Sequence, residues 1–262
     1  MDLQISGKKA LVMSSSRGLG AGIASYLARE GVDVLLTGRD ENNLEAVTFK
    51  INSQNVGKAS YVVADLAANE CVNILIDAVA AKLGGADIFI GNTGGPPPGR
   101  MIDADTSKLS TYFEVMVTRI AKLAATLSFE MKSNGWGRIL TIGSSGVVQP
   151  IPNLAISNMV RSALVGWSKS LSNDLAAEGI TVNMLIPGRI HTKRIDELDQ
   201  AVAKRSDRSV EEVRIESRKT IPVGRYGAVD EFAATAAFLC SGPAAYITGT
   251  VIRCDGGMIK AV

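Results

Sequence analysis

Short, strongly apolar runs alternate along this chain with longer segments in which apolar residues return roughly every three to four positions. The runs KKALVM (8–13), VDVLLT (32–37), ASYVVA (59–64), ADIFIG (86–91), GRILTIG (137–143), ITVNMLI (180–186) and TVIRCD (250–255) predict strands. Between them the helical period predicts helices near 18–30, 40–53, 68–83, 106–133, 157–178 and 228–241. Most of the strands are apolar at nearly every position, as strands covered on both faces are. The β-α-β series therefore predicts an α/β fold: a doubly wound, mostly parallel seven-stranded sheet with helices on both faces. Such sheets bind ligands beyond the carboxyl ends of their strands, where the strand order switches direction. Chemistry is expected in the loops after strands one, two, four, five and six.

Composition narrows the picture. A chain of 262 residues that is 46% hydrophobic and 21% charged can bury a full core, and residues 1–262 are expected to form a single domain. Its 28 basic and 26 acidic residues are interspersed and leave a net charge of +2. That balance gives no electrostatic footprint for nucleic acid or an anionic membrane and points to a small-molecule substrate. The opening MDLQISGKKALVM lacks an apolar signal core, and no apolar run approaches the ~18 residues of a membrane span, so a cytoplasmic protein is expected. Cys71, Cys240 and Cys254 are widely spaced, and His191 is the sole histidine, which argues against a disulfide framework and against a metal site.

The first loop is SSSRGLGAG (14–22). A Gly18-x-Gly20 turn that opens a helix straight after a strand lets backbone N–H groups approach a pyrophosphate, whose charge the helix N-terminus favours. A simple tight turn would look the same. Its place after strand one, about twenty residues before the end of strand two, favours a dinucleotide site of Rossmann type. That second strand ends LLTGRDENN, with Gly38 where an acid would bond the 2′-hydroxyl of NAD. Asp40 is expected to cap the next helix. Arg17 and Arg39 are either solvated surface residues or ligands of a 2′-phosphate, which suits their planar forks. The lack of an acid at position 38 favours NADP(H).

With these residues in view the chain resembles the short-chain dehydrogenase/reductase family, from about residue 5 to 257, and most nearly its 3-oxoacyl-acyl carrier protein reductase branch. The family's TGxxxGxG stands here as Met13, Ser14, three residues, Gly18, Leu19, Gly20, with Ser14 in place of the first glycine. Its adenine-contacting Asp-Val/Leu appears as Asp65-Leu66, its NNAG as GNTG with Asn92 and Gly94, and its PGxxxT as PGRIHT with Pro187, Gly188 and Thr192. YITGTVIRCDGG fits its last strand. The resemblance implies a cofactor lined by Ser14, Ser16, Arg17, Gly18, Leu19, Gly20, Arg39, Asp65, Leu66, Asn92, Gly94, Pro187, Gly188, Ile190 and Thr192.

The catalytic positions depart from the pattern. Ser144 fits the family's serine, but its YxxxK falls on Ser157 and Arg161, and its asparagine falls on Met116. A serine hydroxyl is a far weaker acid than a phenol, and an arginine does not give up its proton. Arg161 can still bind ribose hydroxyls or steady charge developing on an oxygen. Ser144, Ser157 and Arg161 are thus the expected catalytic set, without an obvious proton donor. His191 lies near the site but reads more simply as a surface residue, and Tyr112, Tyr226 and Tyr246 read as packing or structural residues.

GGPPPGR (94–100) predicts a stiff, extended wall of the pocket. Residues 193–220 predict a charged helical lid, with Ser209 and Glu212 as a capping box. The leading expectation is an NADP(H)-dependent oxidoreductase acting on a carbonyl, an alcohol or a related C=X group. The alternative is a nucleotide-binding regulatory or scaffolding protein of the same fold. Apolar residues on several faces of the long helices, among them Met159, Leu164, Trp167 and Leu171, predict a homotetramer or homodimer.

Overall fold

In the computed structural model, which describes residues 1–261, the strands are β1 (Lys9–Val12), β2 (Asp33–Gly38), β3 (Ala59–Val63), β4 (Ile88–Gly91), β5 (Gly137–Ile142), β6 (Ile180–Pro187) and β7 (Val251–Cys254). They form one sheet in the order β3-β2-β1-β4-β5-β6-β7, parallel at every pairing. The order reverses direction between β1 and β4, so the switch point expected of a doubly wound fold lies beyond Val12 and its neighbour Ile90.

Alternate strand residues feed two cores. Leu11, Phe89, Ile139 and Met184 face α3 (Cys71–Leu83), α5 (Arg119–Ser133) and α6 (Ala155–Leu175). Val12, Ile88, Leu140 and Leu185 face α1 (Gly18–Arg29), α2 (Glu41–Asn52) and α9 (Val229–Leu239). Burial of a side chain such as Phe89, fully enclosed, contributes about 1.5–3 kcal/mol. This double coverage is why the strands read as unbroken apolar runs.

Local chemistry sets the helix ends. Asp40 caps α2 by accepting from the Asn43 N–H at 3.0 Å. The third helix starts at Cys71, not 68, because Asp65 organises a turn there, accepting from the Ala67 N–H on its side chain and the Ala68 N–H on its carbonyl. The helix predicted over 106–133 is not uniform. A 3₁₀ turn (Thr106–Lys108) leads into α4 (Leu109–Phe113), a π-helical turn follows at Glu114–Thr118, and α5 completes it. Such wide turns gather at functional sites, and this one carries Met116. The lid is helical, α7 (Lys193–Ser206) and α8 (Val210–Lys219), and α8 opens with the Ser209–Glu212 capping box.

Candidate active site

The loop from β1 to α1 meets the loop from β6 across the switch point. Gly18 has φ +59°, a left-handed conformation that glycine tolerates, and its open side faces the methyl of Thr192. A Cβ on Gly20 would collide with the Ser14 carbonyl oxygen. No side chain caps the N-terminus of α1, so its first N–H groups stand ready for an anion. Ser14 also takes a positive φ, +48°, without being glycine; its carbonyl accepts from the Asn92 side-chain amide at 3.3 Å, tying the ends of β1 and β4 together. Ser15 is wholly buried and bonds Val12 and Thr37, so its role is to join β1 to β2. Leu19 and Leu66 pack against the two cores, and Ile190 is itself buried in one.

At the end of β2, Gly38 lies against Ser16. Arg39 is 77% exposed and 3.9 Å from Asp65, a loose surface pair worth little by itself. Arg17 is exposed at the same rim. Gly188 turns the chain out of β6, its N–H donating to the Cys254 carbonyl at 3.0 Å, and Thr192 stands at the N-cap of α7.

Ser144 follows β5. Its Oγ accepts from the Gly146 N–H at 3.1 Å, which leaves the hydroxyl proton available to a ligand oxygen. Ser157 is buried in the first turn of α6, and Arg161 is buried one turn later.

Arg161 has protein partners that the sequence did not reveal. Its expected partners were a ribose and a substrate oxyanion, because a buried cation without a partner is costly. The protein supplies partners of its own: Nη1 donates to the Ile142 carbonyl at 3.0 Å, and Nη2 to those of Thr93 at 3.1 Å and Gly94 at 3.3 Å. The guanidinium braces the exits of β4 and β5. Burial, with Arg194 nearby, pushes its pKa down to about 10, still well above neutrality.

The tyrosines and the histidine do not supply a donor within hydrogen-bonding reach of Ser144. The Tyr226 hydroxyl donates to Asp199 at 2.9 Å, and its burial raises its pKa. Tyr246 is fully exposed, and Tyr112 packs on the core. The His191 ring is 64% exposed and lies 3.4 Å from Asp196 of the lid.

The proline loop, which leaves β4, and the α7–α8 segment meet. The proline loop is pinned to the start of α6, the Gly99 N–H donating to the Asn153 carbonyl at 2.7 Å. Fully buried Asp199 of α7 accepts from Arg189 of the β6 loop at 2.6 Å, and Arg214 of α8 ties the two lid helices together by reaching Asp196 at 2.6 Å. Arg194 spans to the wall, its Nη2 donating to the Pro96 carbonyl at 3.2 Å. Sequence reasoning left Arg194, Asp199 and Thr93 unassigned. Arg194 could be found only as one charge among many in the lid.

A doubly wound sheet with an open glycine turn at its switch point is a dinucleotide-binding architecture. The family model described as Enoyl-(Acyl carrier protein) reductase matches residues 13–259. The NADPH-dependent reductase BacG of Bacillus subtilis (strain 168) is 30% identical over 259 residues, 98% of this chain and 100% of that protein. The 3-oxoacyl-[acyl-carrier-protein] reductase FabG of Escherichia coli (strain K12) is 33% identical over 258 residues, covering 98% and 99%. Among solved structures, L-sorbose reductase from Gluconobacter frateurii complexed with NADPH and L-sorbose superposes with a TM-score of 0.94 at 30% identity, with both chains covered in full. The chain belongs to the short-chain dehydrogenase/reductase family, near the 3-oxoacyl-acyl carrier protein reductase branch.

Proposed function

We propose that the protein is an NADP(H)-dependent oxidoreductase that reduces a carbonyl or related C=X compound, or oxidises the corresponding alcohol. The observation that carries this reading is the pairing of the Gly18 turn with Thr192 across the crevice, together with a Ser144 hydroxyl, just past the end of β5, whose proton is uncommitted. The residues fit the cofactor: Gly18 is left-handed, α1 is uncapped, and no atom lies within 4 Å of where a Gly94 side chain would stand. The α1 N-terminus would hold the pyrophosphate, Arg17 and Arg39 the 2′-phosphate, Asp65 and Leu66 the adenine, and Pro187, Gly188 and Thr192 the carboxamide. When bound, the reduced nicotinamide supplies a hydride. Ser144 donates a hydrogen bond to the substrate oxygen, and Arg161 stabilises charge there electrostatically while fixing the strand ends. NADPH relatives support the cofactor: BacG is named as NADPH-dependent, and the sorbose reductase structure holds NADPH.

NADPH and NADH titrations followed by fluorescence, then NADPH oxidation against ketones, 3-oxoacyl thioesters, enones and imines with deuteride tracing, test the reading. Tight NADPH binding without turnover would support the second reading, a nucleotide-binding regulatory protein, which the Ser157–Arg161 replacement favours. Residues 1–262 are proposed to work as one domain with 193–220 as its lid, in the cytoplasm, which imaging of the tagged chain tests. Self-association into a dimer or tetramer is part of the same proposal. Phe113, Phe129 and Met159 are 44%, 74% and 43% exposed on neighbouring helices, whereas Leu164 is wholly buried and belongs to the core. Light scattering showing a monomer at micromolar concentration would refute it.

A further inference from the structure

We propose that Arg161 and Arg194 form an anion subsite, and that the compound reduced carries a carboxylate close to its reactive group. The inference rests on the reductase reading and names its substrate class.

The loop leaving β4 is held between two guanidinium groups. Arg161, from α6, takes the carbonyls of Thr93 and Gly94; Arg194, from the first turn of α7, takes that of Pro96 at 3.2 Å. Neither has a strong acidic partner. Among the described residues no carboxylate lies within ion-pair distance of Arg161, and Arg194 reaches only Glu197, at 3.7 Å along its own helix. The nearby lid acids are engaged elsewhere, Asp196 by Arg214 and Asp199 by Arg189.

Three of the five N–H donors of Arg161 serve carbonyls, which leaves two. The space beside the loop is unfilled. A side chain on Gly94 would meet nothing within 4 Å, and one on Gly95 would meet only Arg194 Nη2 at 3.9 Å. The Thr93 hydroxyl is buried without a hydrogen-bond partner. Two like charges, Arg161 with no ion-pair partner among the described residues and Arg194 with only a loose one at 3.7 Å, attract an anion. Planar guanidinium forks match a carboxylate in particular. Arg161 serves as the fixed cation, and Arg194 brings the second with the lid.

The test compares 2-oxo and 3-oxo acids (pyruvate, phenylpyruvate, 2-oxoglutarate, acetoacetate) with their methyl esters, by NADPH oxidation and by thermal shift of the NADPH-loaded protein. At least one acid is expected to exceed its ester by tenfold or more in kcat/KM or in binding. Arg194→Gln is expected to lower that acid's kcat/KM by about 10–100-fold, the range of one charge-assisted hydrogen bond. The ester and the NADPH Kd should stay within about twofold by the same accounting. Esters that match their acids throughout, or a panel in which no acid is reduced or bound, overturn the subsite while NADPH binding leaves the reductase reading standing. An Arg194→Gln protein that loses NADPH affinity as strongly as acid turnover assigns Arg194 to the cofactor phosphates and overturns it too. Failure of NADPH itself to bind removes the reductase reading, and the subsite with it.

Discussion

Replacing Arg161 by methionine removes the brace between β4 and β5 while keeping most of the side-chain volume. Three charge-assisted hydrogen bonds are lost, those to Ile142, Thr93 and Gly94 at 3.0–3.3 Å. Each such bond contributes about 1.5–3 kcal/mol, and removal of the guanidinium also relieves several kcal/mol of desolvation. What remains is the burden of orphaned carbonyls, about 1–3 kcal/mol each where water cannot reach them. At the mouth of a crevice water satisfies some of these, so the net loss is about 3–5 kcal/mol. For a chain of 262 residues, at about 2–4 °C per kcal/mol, the melting temperature falls by about 6–20 °C. Urea unfolding of the cofactor-free protein measures it, as a lower midpoint at constant slope. Arg161→Lys keeps the charge but reaches fewer carbonyls, and should fall between parent and methionine variant. A methionine variant within about 1 kcal/mol of the parent would refute the brace, because loss of a residue that only waits for ligand leaves apo stability unchanged.

Ser14→Gly should stabilise the protein by up to about 1 kcal/mol, since Ser14 bears a left-handed strain of about 1–2 kcal/mol that glycine avoids at some entropic cost; a lowered melting temperature would count against this. Gly38→Asp should move preference from NADPH toward NADH by about 10–150-fold, because a carboxylate repels a 2′-phosphate; the new side chain must displace Ser16, 3.1 Å from its Cβ, by a few tenths of an ångström, and Kd values for both nucleotides decide it. The Cys240 thiol is fully enclosed and burial pushes its pKa up to about 12, so it should resist a disulfide reagent at pH 8.5 in the folded protein and react once urea is added; prompt labelling in the folded state would show an open core. For this acid the raised pKa means stability is full below the unfolded value near 9 and declines as pH rises toward 12, so the urea midpoint of the parent should drop more steeply above pH 9 than that of Cys240→Ala.

Period and position carried most of the fold. Strands buried on both faces leave continuous apolar runs, and each predicted strand lies within two residues of its observed ends. The π-helical turn at Glu114–Thr118, which packs against α6, left no such trace, because EVMVT keeps a helical pattern. At the site, Gly18 and Gly20 were legible because their backbones demand glycine. The partners of Arg161 were not, because they are main-chain carbonyls at the end of β5 and in the loop after β4, 19 and 68 residues away, and a carbonyl has no sequence signature. Arg194 was hidden for the opposite reason: its charge is one of many in the lid, and only the fold shows which of them faces the wall.

The proline wall is pinned by Gly99 to the start of α6, and the root of the lid is fastened by Asp199 to Arg189, just past the end of β6. Of the contacts described, only Arg194 on Pro96 joins the two sides. Separation of wall and lid therefore gives up little more than one part-exposed hydrogen bond, about 0.5–1.5 kcal/mol net. An energy gap of that size keeps roughly 7–30% of molecules ajar at any moment. A ligand would thus find the crevice open without having to force it, at an affinity penalty of no more than about fourteenfold, and one that rewards Arg194 better than the Pro96 carbonyl does would close it.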